Sequence, residues 1–186
     1  GEEVVAGGAA RSYRSEILGY NYRMTEFEAA LGLVQLRHLA GHNAERRRLA
    51  GRLTVALEGI PGLQPPVVQS GCEHVFYVYP LLYDEGTWGI PREAFARALQ
   101  AEGIPLGAGY VRPLYLSPLY QERRAWAFRQ YRGGARYDRG ICPVTEELHF
   151  NKMLVIPVVR PPAQDQDMQQ IAAAIRKVWE HRGELA

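Results

Sequence analysis

The sequence has few lysines and few cysteines, and both shortages limit the chemistry it can perform. Lys152 and Lys177 are its only lysines, although lysine and arginine together number 22, so nearly all the positive charge is arginine. Cys72 and Cys142 are its only cysteines, and they lie far apart in the chain. A disulfide framework and a Cys-x-x-Cys zinc or redox site are therefore not indicated.

Long apolar runs and a one-sided charge are missing as well. No apolar run is long enough to cross a bilayer, and the acidic start Gly1-Glu2-Glu3 does not resemble a secretory leader. A cytoplasmic location without a membrane partner is therefore the expectation. The formal net charge is +2, and arginine clusters such as Arg46-Arg47-Arg48 have Glu45 beside them. Such interleaving is typical of solvated faces and predicts no nucleic-acid partner.

The chain does contain one long helix pattern, which begins after Thr25 and is stopped at Gly59 and Pro61. Thr25 with Glu28 three residues later predicts a capping box. In the first half, apolar residues from Phe27 to Leu39 fall on several faces, which predicts burial on most sides. The charged second half keeps a narrow apolar stripe: Leu49, Leu53 and Leu57.

The rest of the 186 residues alternates short strand patterns with helix patterns, which suits one domain or a domain plus an arm. Pro80 within the second strand pattern predicts an edge or a bulge. Helices segregated on one side of a small sheet predict an α+β fold. The predicted strands are Val67–Ser70, His74–Tyr83, Ile104–Ala108 and Met153–Val159. The predicted helices include one opened by Ile90-Pro91, one within Tyr120–Tyr131, one opened by Pro143, and Asp165–His181. The last of these has an apolar stripe: Met168, Ile171, Ala172, Ile175, Val178 and Trp179.

Several stretches carry polar residues at fixed spacing: Gly19 to Glu26, Ala29 to Gly32, Arg46 to Ala50, Arg92 to Pro105, Tyr110 to Pro118 and Cys142 to Glu146. Together they resemble the DegT/DnrJ/StrS-type sugar aminotransferases, which are pyridoxal 5'-phosphate (PLP) enzymes. The resemblance covers nearly the whole chain but only the C-terminal part of such an enzyme. It implies the small C-terminal domain of the aspartate aminotransferase-like fold (fold type I), with the long interdomain helix attached.

The resemblance also implies an organisation and an activity. Residues 1–24 would be an arm and cofactor-phosphate loop left from the edge of the large domain, and residues 25–186 the interdomain helix and the small domain. The parent enzyme would transfer an amino group from glutamate or glutamine to a keto-sugar or keto-cyclitol, as a homodimer or with a separate large-domain chain. The alternative is a non-catalytic binding or dimerisation module.

Four site residues follow from the same resemblance. Asn21 would donate a hydrogen bond to the PLP phosphate of the neighbouring subunit, a task that suits an uncharged amide. Arg23 would lie near the same site and contact a substrate phosphate, although a surface charge at the helix entry explains it equally well. Tyr110 and Arg112 would bind substrate hydroxyls, or else pack within their loop. Gly109 departs from the family's commoner histidine, which puts a substrate contact there in doubt.

The shortage of lysine bears directly on this reading. A PLP aminotransferase needs a lysine that holds the cofactor as a Schiff base, and in this family that lysine precedes the Gly19 stretch. Lys152 and Lys177 are interpreted as solvated charges, so this chain alone is not expected to transaminate. His74 and His149 have no metal-ligand partner at useful spacing, and both are interpreted as structural.

Overall fold

Helix α1 runs from Glu26 to Ala56 in a computed structural model that describes residues 2–3, 12–13, 20, 22–123, 126–131 and 133–185. The predicted capping box is confirmed. The Thr25 backbone N–H donates to Glu28 Oε2 over 2.8 Å, and the Glu28 N–H donates to Thr25 Oγ1 over 3.3 Å. Gly59 then adopts a left-handed φ of 79°, which ends the helical path.

The two halves of α1 differ in burial. Leu49 and Leu53 are fully buried and Leu57 is nearly so, which confirms the predicted stripe. The predicted burial of the first half is wrong for the described chain, because Phe27 is 80% exposed and Leu36 is 65% exposed. Apolar residues of a helix are buried only where another element packs against them. Among the described residues of this helix, the first buried position is Leu49.

Four strands form one antiparallel sheet in the order β3-β4-β6-β5: β3 Leu63–Gln64, β4 Tyr79–Tyr83, β5 Gly107–Ala108 and β6 Met153–Ile156. The first strand forms earlier than predicted, since residues 67–70 are not a strand. The prediction of an edge or a bulge from Pro80 does not hold for the whole of β4, which lies between β3 and β6, but the edge environment is confirmed at Pro80 itself, which is opposite Val155 on one side. Strand β3 reaches only Leu82 and Tyr83, so Pro80 has a strand neighbour on one side, as an edge residue does.

The described residues form six further helices: α2 Glu85–Trp88, α3 Arg92–Ala101, α4 Pro118–Gln121, α5 Trp126–Gln130, α6 Pro143–Glu147 and α7 Asp165–Glu180. Turns of 3₁₀ helix occupy Leu114–Leu116 and Arg182–Glu184, and a π-helical turn occupies Leu148–Lys152. Pro143 starts α6 at a first-turn position, as predicted. No helix among the described residues has both the length and the apolar character to cross a membrane.

One hydrophobic core joins the sheet to the second half of α1, α3 and α7. The predicted stripe of α7 is confirmed, with Met168 and Ile175 fully buried. Its last member, Trp179, is partly buried and meets Trp88 edge-on, with 4.8 Å between ring centroids. The fold is therefore mixed helix and sheet, with a core built from both.

The chain divides into two compact units, Gly1–His38 and Leu39–Ala186. In the first unit, β1 (Glu2–Glu3) pairs antiparallel with β2 (Ser12–Tyr13), and α1 begins. The second unit contains the four-stranded sheet and the core. The loop that follows β5 also belongs to the second unit, and it carries two of the predicted site residues.

Candidate functional site

The chain leaves β5 at Gly109, where a loop begins. The Gly109 N–H donates to the Met153 carbonyl over 2.7 Å, which extends the pairing of β5 with β6 by one bond. Its φ of +74° is one that side-chain-bearing residues rarely adopt. Tyr110 and Arg112 follow and are both exposed, so the structure presents the two predicted substrate-binding residues on one loop.

His149 lies directly against this turn. A Cβ atom added at Gly109 would come within 2.8 Å of the His149 carbonyl oxygen and 3.1 Å of the imidazole Cε1 and Nδ1. The Tyr110 backbone N–H points to His149 Nδ1 in a long hydrogen bond of 3.4 Å. The close approach therefore requires glycine at position 109 for its space as well as for its backbone angle.

Arg92 anchors the other side of His149. Only 5% of Arg92 is exposed, and its Nη1 donates to the carbonyls of His149 over 2.9 Å and Met153 over 3.1 Å. Its Nη2 pairs with Glu93 Oε1 at 2.6 Å. Arginine is rarely buried without such partners. Arg92 thus fixes both ends of the π-helical turn that carries His149.

The electrostatics of this cluster favour a neutral imidazole. Burial, followed by the positive charges of Arg92 and Arg112, lowers the pKa of His149. An unperturbed histidine titrates near pH ~6.5, so a lowered value leaves the ring uncharged at neutral pH. Tyr110 and Arg112 on the loop therefore offer a phenol and a guanidinium to a polar ligand, and His149 beside the loop offers an uncharged imidazole.

Glu146 ties the far end of the loop to its beginning. Its Oε1 accepts from the Tyr115 hydroxyl over 2.5 Å and from the Gly140 N–H over 2.6 Å, and its side chain is only 11% exposed. These two hydrogen bonds, with Arg139 Nε 3.7 Å from Oε2, lower the pKa of Glu146. Burial and the facing carboxylate raise the pKa of Tyr115 to about 12. An ionised glutamate thus holds a neutral phenol at physiological pH.

The two predicted N-terminal site residues are Asn21 and Arg23. Asn21 lies outside the described residues. Arg23 is exposed and belongs to the first compact unit. Sequence reasoning also missed the anchoring by Arg92 and the contact of His149 with Gly109. The only available signal was a glycine before Tyr110, and a glycine alone does not identify its neighbour.

Lys152 and Lys177 are the lysines that could hold PLP within this sequence. Lys152 Nζ lies 3.5 Å from Glu147 Oε1 with half of its side chain exposed, and Lys177 Nζ lies 2.8 Å from Glu102 Oε1. A lysine that holds the cofactor as a Schiff base needs its amine available to bond to that cofactor, whereas both of these amines are engaged by a carboxylate on an exposed side chain. The described residues therefore do not fit the cofactor by themselves. In the same part of the chain, no three His, Cys, Asp or Glu side chains converge on a metal position.

A mixed α/β domain that presents exposed polar residues on a loop is of the kind that binds polar small molecules. The profile of the DegT/DnrJ/EryC1/StrS aminotransferase family matches residues 4–176. The chain belongs to this family, which confirms the resemblance drawn from its motifs.

Two curated relatives illustrate the match. The L-glutamine:2-deoxy-scyllo-inosose aminotransferase of Streptoalloteichus tenebrarius is 34% identical over 181 residues, which are 91% of this chain and 41% of the relative. The spore coat polysaccharide biosynthesis protein SpsC of Bacillus subtilis is 28% identical over 167 residues, or 89% of this chain and 39% of the relative. The chain thus spans about two fifths of the length of these relatives.

Solved structures agree with this assignment. DesV of S. venezuelae superposes with a TM-score of 0.70 and 26% identity, covering 93% of this chain and 41% of DesV. An aminotransferase from Psychrobacter cryohalolentis superposes with a TM-score of 0.71 at 23% identity, covering 94% of this chain and 44% of that one. At 23% identity the second match supports the fold alone.

Proposed function

We propose that this chain is the C-terminal part of a PLP-dependent aminotransferase that moves an amino group from glutamate or glutamine to a keto-sugar or keto-cyclitol. The main support for the proposal is the family match over residues 4–176. The 34% identity to the L-glutamine:2-deoxy-scyllo-inosose aminotransferase supports the choice of amino donor and acceptor. The second compact unit would be the small domain of a fold type I enzyme. The product would serve amino-sugar, antibiotic or surface-polysaccharide synthesis.

The exposed loop of the second unit would bind the substrate. Tyr110 supplies a phenol that can donate to or accept from a sugar hydroxyl, and Arg112 supplies a guanidinium for hydroxyls or a phosphate. Both side chains are exposed, and neither is required by the core. Glu146 would keep the loop in place through Tyr115.

The N-terminal segment would serve the cofactor instead. We assign residues 1–24 to an arm and phosphate loop, with residues 25–186 as the interdomain helix and small domain. Asn21 would donate to the PLP phosphate of a neighbouring subunit, and Arg23 would face the substrate near that phosphate. The cofactor would supply the electron sink for amino transfer when bound. A homodimer or a separate large-domain chain would complete the site.

The environment of the two lysines favours a second candidate for the chain on its own. Each lysine is paired with a carboxylate, and each is at least half exposed. The chain alone would then be a binding or dimerisation module without transaminase activity. The two candidates differ in whether a Schiff-base lysine is supplied from outside residues 1–186.

One pair of experiments tests both candidates. The protein as its gene encodes it is incubated with PLP, glutamine or glutamate, and a set of nucleotide-linked keto-sugars and keto-cyclitols, and amino products are detected by mass spectrometry. Residues 1–186 are separately mixed with PLP, reduced with borohydride and mapped by peptide. We expect amino product in the first experiment and no stoichiometric pyridoxyl label in the second. Label on Lys152 or Lys177 would contradict the proposed fragment, and absence of every amino product would contradict the activity.

A further inference from the structure

We propose that His149 is a substrate-binding residue, whose Nε2–H donates a hydrogen bond to a hydroxyl or carbonyl oxygen of the bound sugar or cyclitol. The proposal rests on the proposed function and adds a specificity-determining residue to it. His149 is separated from Tyr110 and Arg112 by the whole 113–148 segment, yet it lies against the same turn.

Three contacts fix the position of the ring. The Gly109 backbone lies against one side of it, so closely that a Cβ at that position would come within 3.1 Å of Cε1 and Nδ1. The Phe150 ring meets the imidazole edge-on, with 4.7 Å between centroids. Arg92 Nη1 holds the His149 carbonyl at 2.9 Å. A side chain held in this way is preorganised, so little conformational entropy is lost when it meets a ligand.

The hydrogen-bond pattern then determines which nitrogen is available. Nδ1 accepts from the Tyr110 N–H, and in a neutral imidazole the accepting nitrogen carries no proton, so the proton is on Nε2. The described residues bond His149 at Nδ1 and at its carbonyl, which leaves the Nε2–H for a ligand. Burial and the nearby charges of Arg92 and Arg112 keep the ring neutral.

The site therefore selects a ligand by its oxygen atoms. A single uncharged donor suits a hydroxyl or carbonyl oxygen, and Arg112 on the facing loop adds a charged donor. A ligand that lacks the oxygen facing His149 would leave this donor unpaired, and unpaired buried donors are what make polar sites discriminate. A keto-sugar or keto-cyclitol presents several such oxygens.

A matched pair of substitutions separates binding from a purely structural role. In His149→Asn the side-chain oxygen can take the place of Nδ1 and accept from Tyr110, but the distal donor is lost. In His149→Gln the amide nitrogen can take the place of Nε2 and keep the distal donor, while the contact with Tyr110 is weakened. If His149 has only a structural role, His149→Asn should show the smaller defect in the acceptor KM. If His149 binds the substrate, His149→Gln should show the smaller defect.

The readout is steady-state kinetics of the protein as its gene encodes it, with PLP, amino donor and keto acceptor. We expect His149→Asn to raise the acceptor KM about three- to tenfold, the value of one hydrogen bond. The amino-donor KM and kcat should stay near the native values, and His149→Gln should recover most of the acceptor KM. An unchanged acceptor KM in His149→Asn, or a larger defect in His149→Gln, would overturn the proposal. Absence of turnover in the native protein would instead overturn the proposed function, and this inference with it.

Nitrogen NMR provides a measurement that does not depend on turnover. In the same protein, the imidazole ¹⁵N shifts of His149 should report a neutral ring protonated at Nε2, and addition of the amino product should move the Nε2 signal. Gly109→Ala is the second variant, because the added Cβ displaces the ring. It should change both nitrogen shifts and raise the acceptor KM. A charged ring, a proton on Nδ1, or an Nε2 signal that ignores the product would each contradict the assignment.

Discussion

The first half of α1 is richer in apolar residues than the charged second half, yet the buried positions lie in the second half. In the first half, Phe27, Leu33 and Leu36 are between 60% and 80% exposed. In the second half, Leu49 and Leu53 are fully buried in the core that also includes the sheet and α7. Several large apolar side chains exposed close together usually mark a place where another molecule or domain binds. We infer that the second half stabilises this domain and that the first half serves association.

The largest expected effect comes from removing a core leucine of the second half. Leu53→Ala should lower the free energy of unfolding by about 2–5 kcal/mol, because it leaves a cavity at a fully buried position. Leu36→Ala makes the same chemical change at a position that is 65% exposed, and it should change stability by about 0.5 kcal/mol or less. Urea unfolding of residues 1–186 at low protein concentration measures both. Equal losses would show that the two halves are equally covered.

The next effect concerns association through the first half. The isolated chain should self-associate, and Phe27→Ser with Leu31→Ser should weaken that association about ten- to a hundredfold, since a few apolar anchors carry most of an interface. Val55→Ser is the control, because Val55 is 64% exposed on the second half of the same helix. Sedimentation over a wide concentration range measures the change. A native chain that stays monomeric throughout, or an equal effect of Val55→Ser, would remove the distinction between the halves.

A smaller effect is expected just before the first half, at Asn21. In the PLP-loaded protein, Asn21→Ala should loosen PLP by about one to two powers of ten, since a hydrogen bond to a charged group contributes roughly 1.5–3 kcal/mol. The rate at saturating PLP should fall much less. Arg23→Ala should leave PLP binding unchanged and raise the substrate KM. Spectroscopic PLP titration of both variants checks this, and unaltered affinity in Asn21→Ala would return Asn21 to an ordinary turn residue.

The smallest effect concerns an ion-pair network of the second half. Arg48 pairs with Glu45 and with Asp165, and Arg52 Nε lies 3.2 Å from Asp165 Oδ2. Hydrogen bonds from Arg48 lower the pKa of both carboxyls. A lowered pKa contributes stability that is present at neutral pH and is lost as the pH falls through the folded-state value. The side chains are partly exposed, so the contribution is small.

Asp165→Asn should therefore be slightly less stable than the native chain at pH 7, and the two should converge as the pH falls below the folded-state pKa of Asp165, where the carboxyl is protonated in both states. Arg48→Gln should reproduce this convergence because it removes the shared partner. Urea midpoints at several pH values measure the difference. A gap between native and Asp165→Asn that persists at low pH would indicate a packing role instead of an ionic one.

Local patterns predicted the local features of this fold. The capping box at Thr25 and the stripe of α7 depend on neighbours within a few residues, and both are confirmed. The predicted burial of Phe27 was wrong, and the edge prediction from Pro80 holds at that residue but not for the whole strand, because both depend on which distant elements lie beside them. The contact of His149 with Gly109 joins positions that no periodicity connects.

The same limit applies to the candidate site. Motif resemblance predicted Tyr110 and Arg112, and the structure presents both on the exposed loop, while their roles stay predictions. Arg92 belongs to one of the stretches that carry the family resemblance, and its burial depends on the carbonyls of His149 and Met153 across the fold. A charged residue in a sequence is expected to be solvated unless its partners are known.

The hydrogen bonds of the Glu146 carboxylate affect how much the length of the chain between Tyr115 and Gly140 can vary among relatives. The carboxylate joins Tyr115 to Gly140 and so holds together the two ends of the excursion between them. Gln121 Nε2 adds to this closure by donating to the carbonyls of Tyr115 and Tyr137. The entropic cost of closing a loop grows only slowly with its length. Insertions and deletions within this excursion should therefore be tolerated without moving Tyr110 or Arg112. Length variation there would allow the shape of the ligand pocket to change between relatives while the backbone that carries the binding groups stays the same.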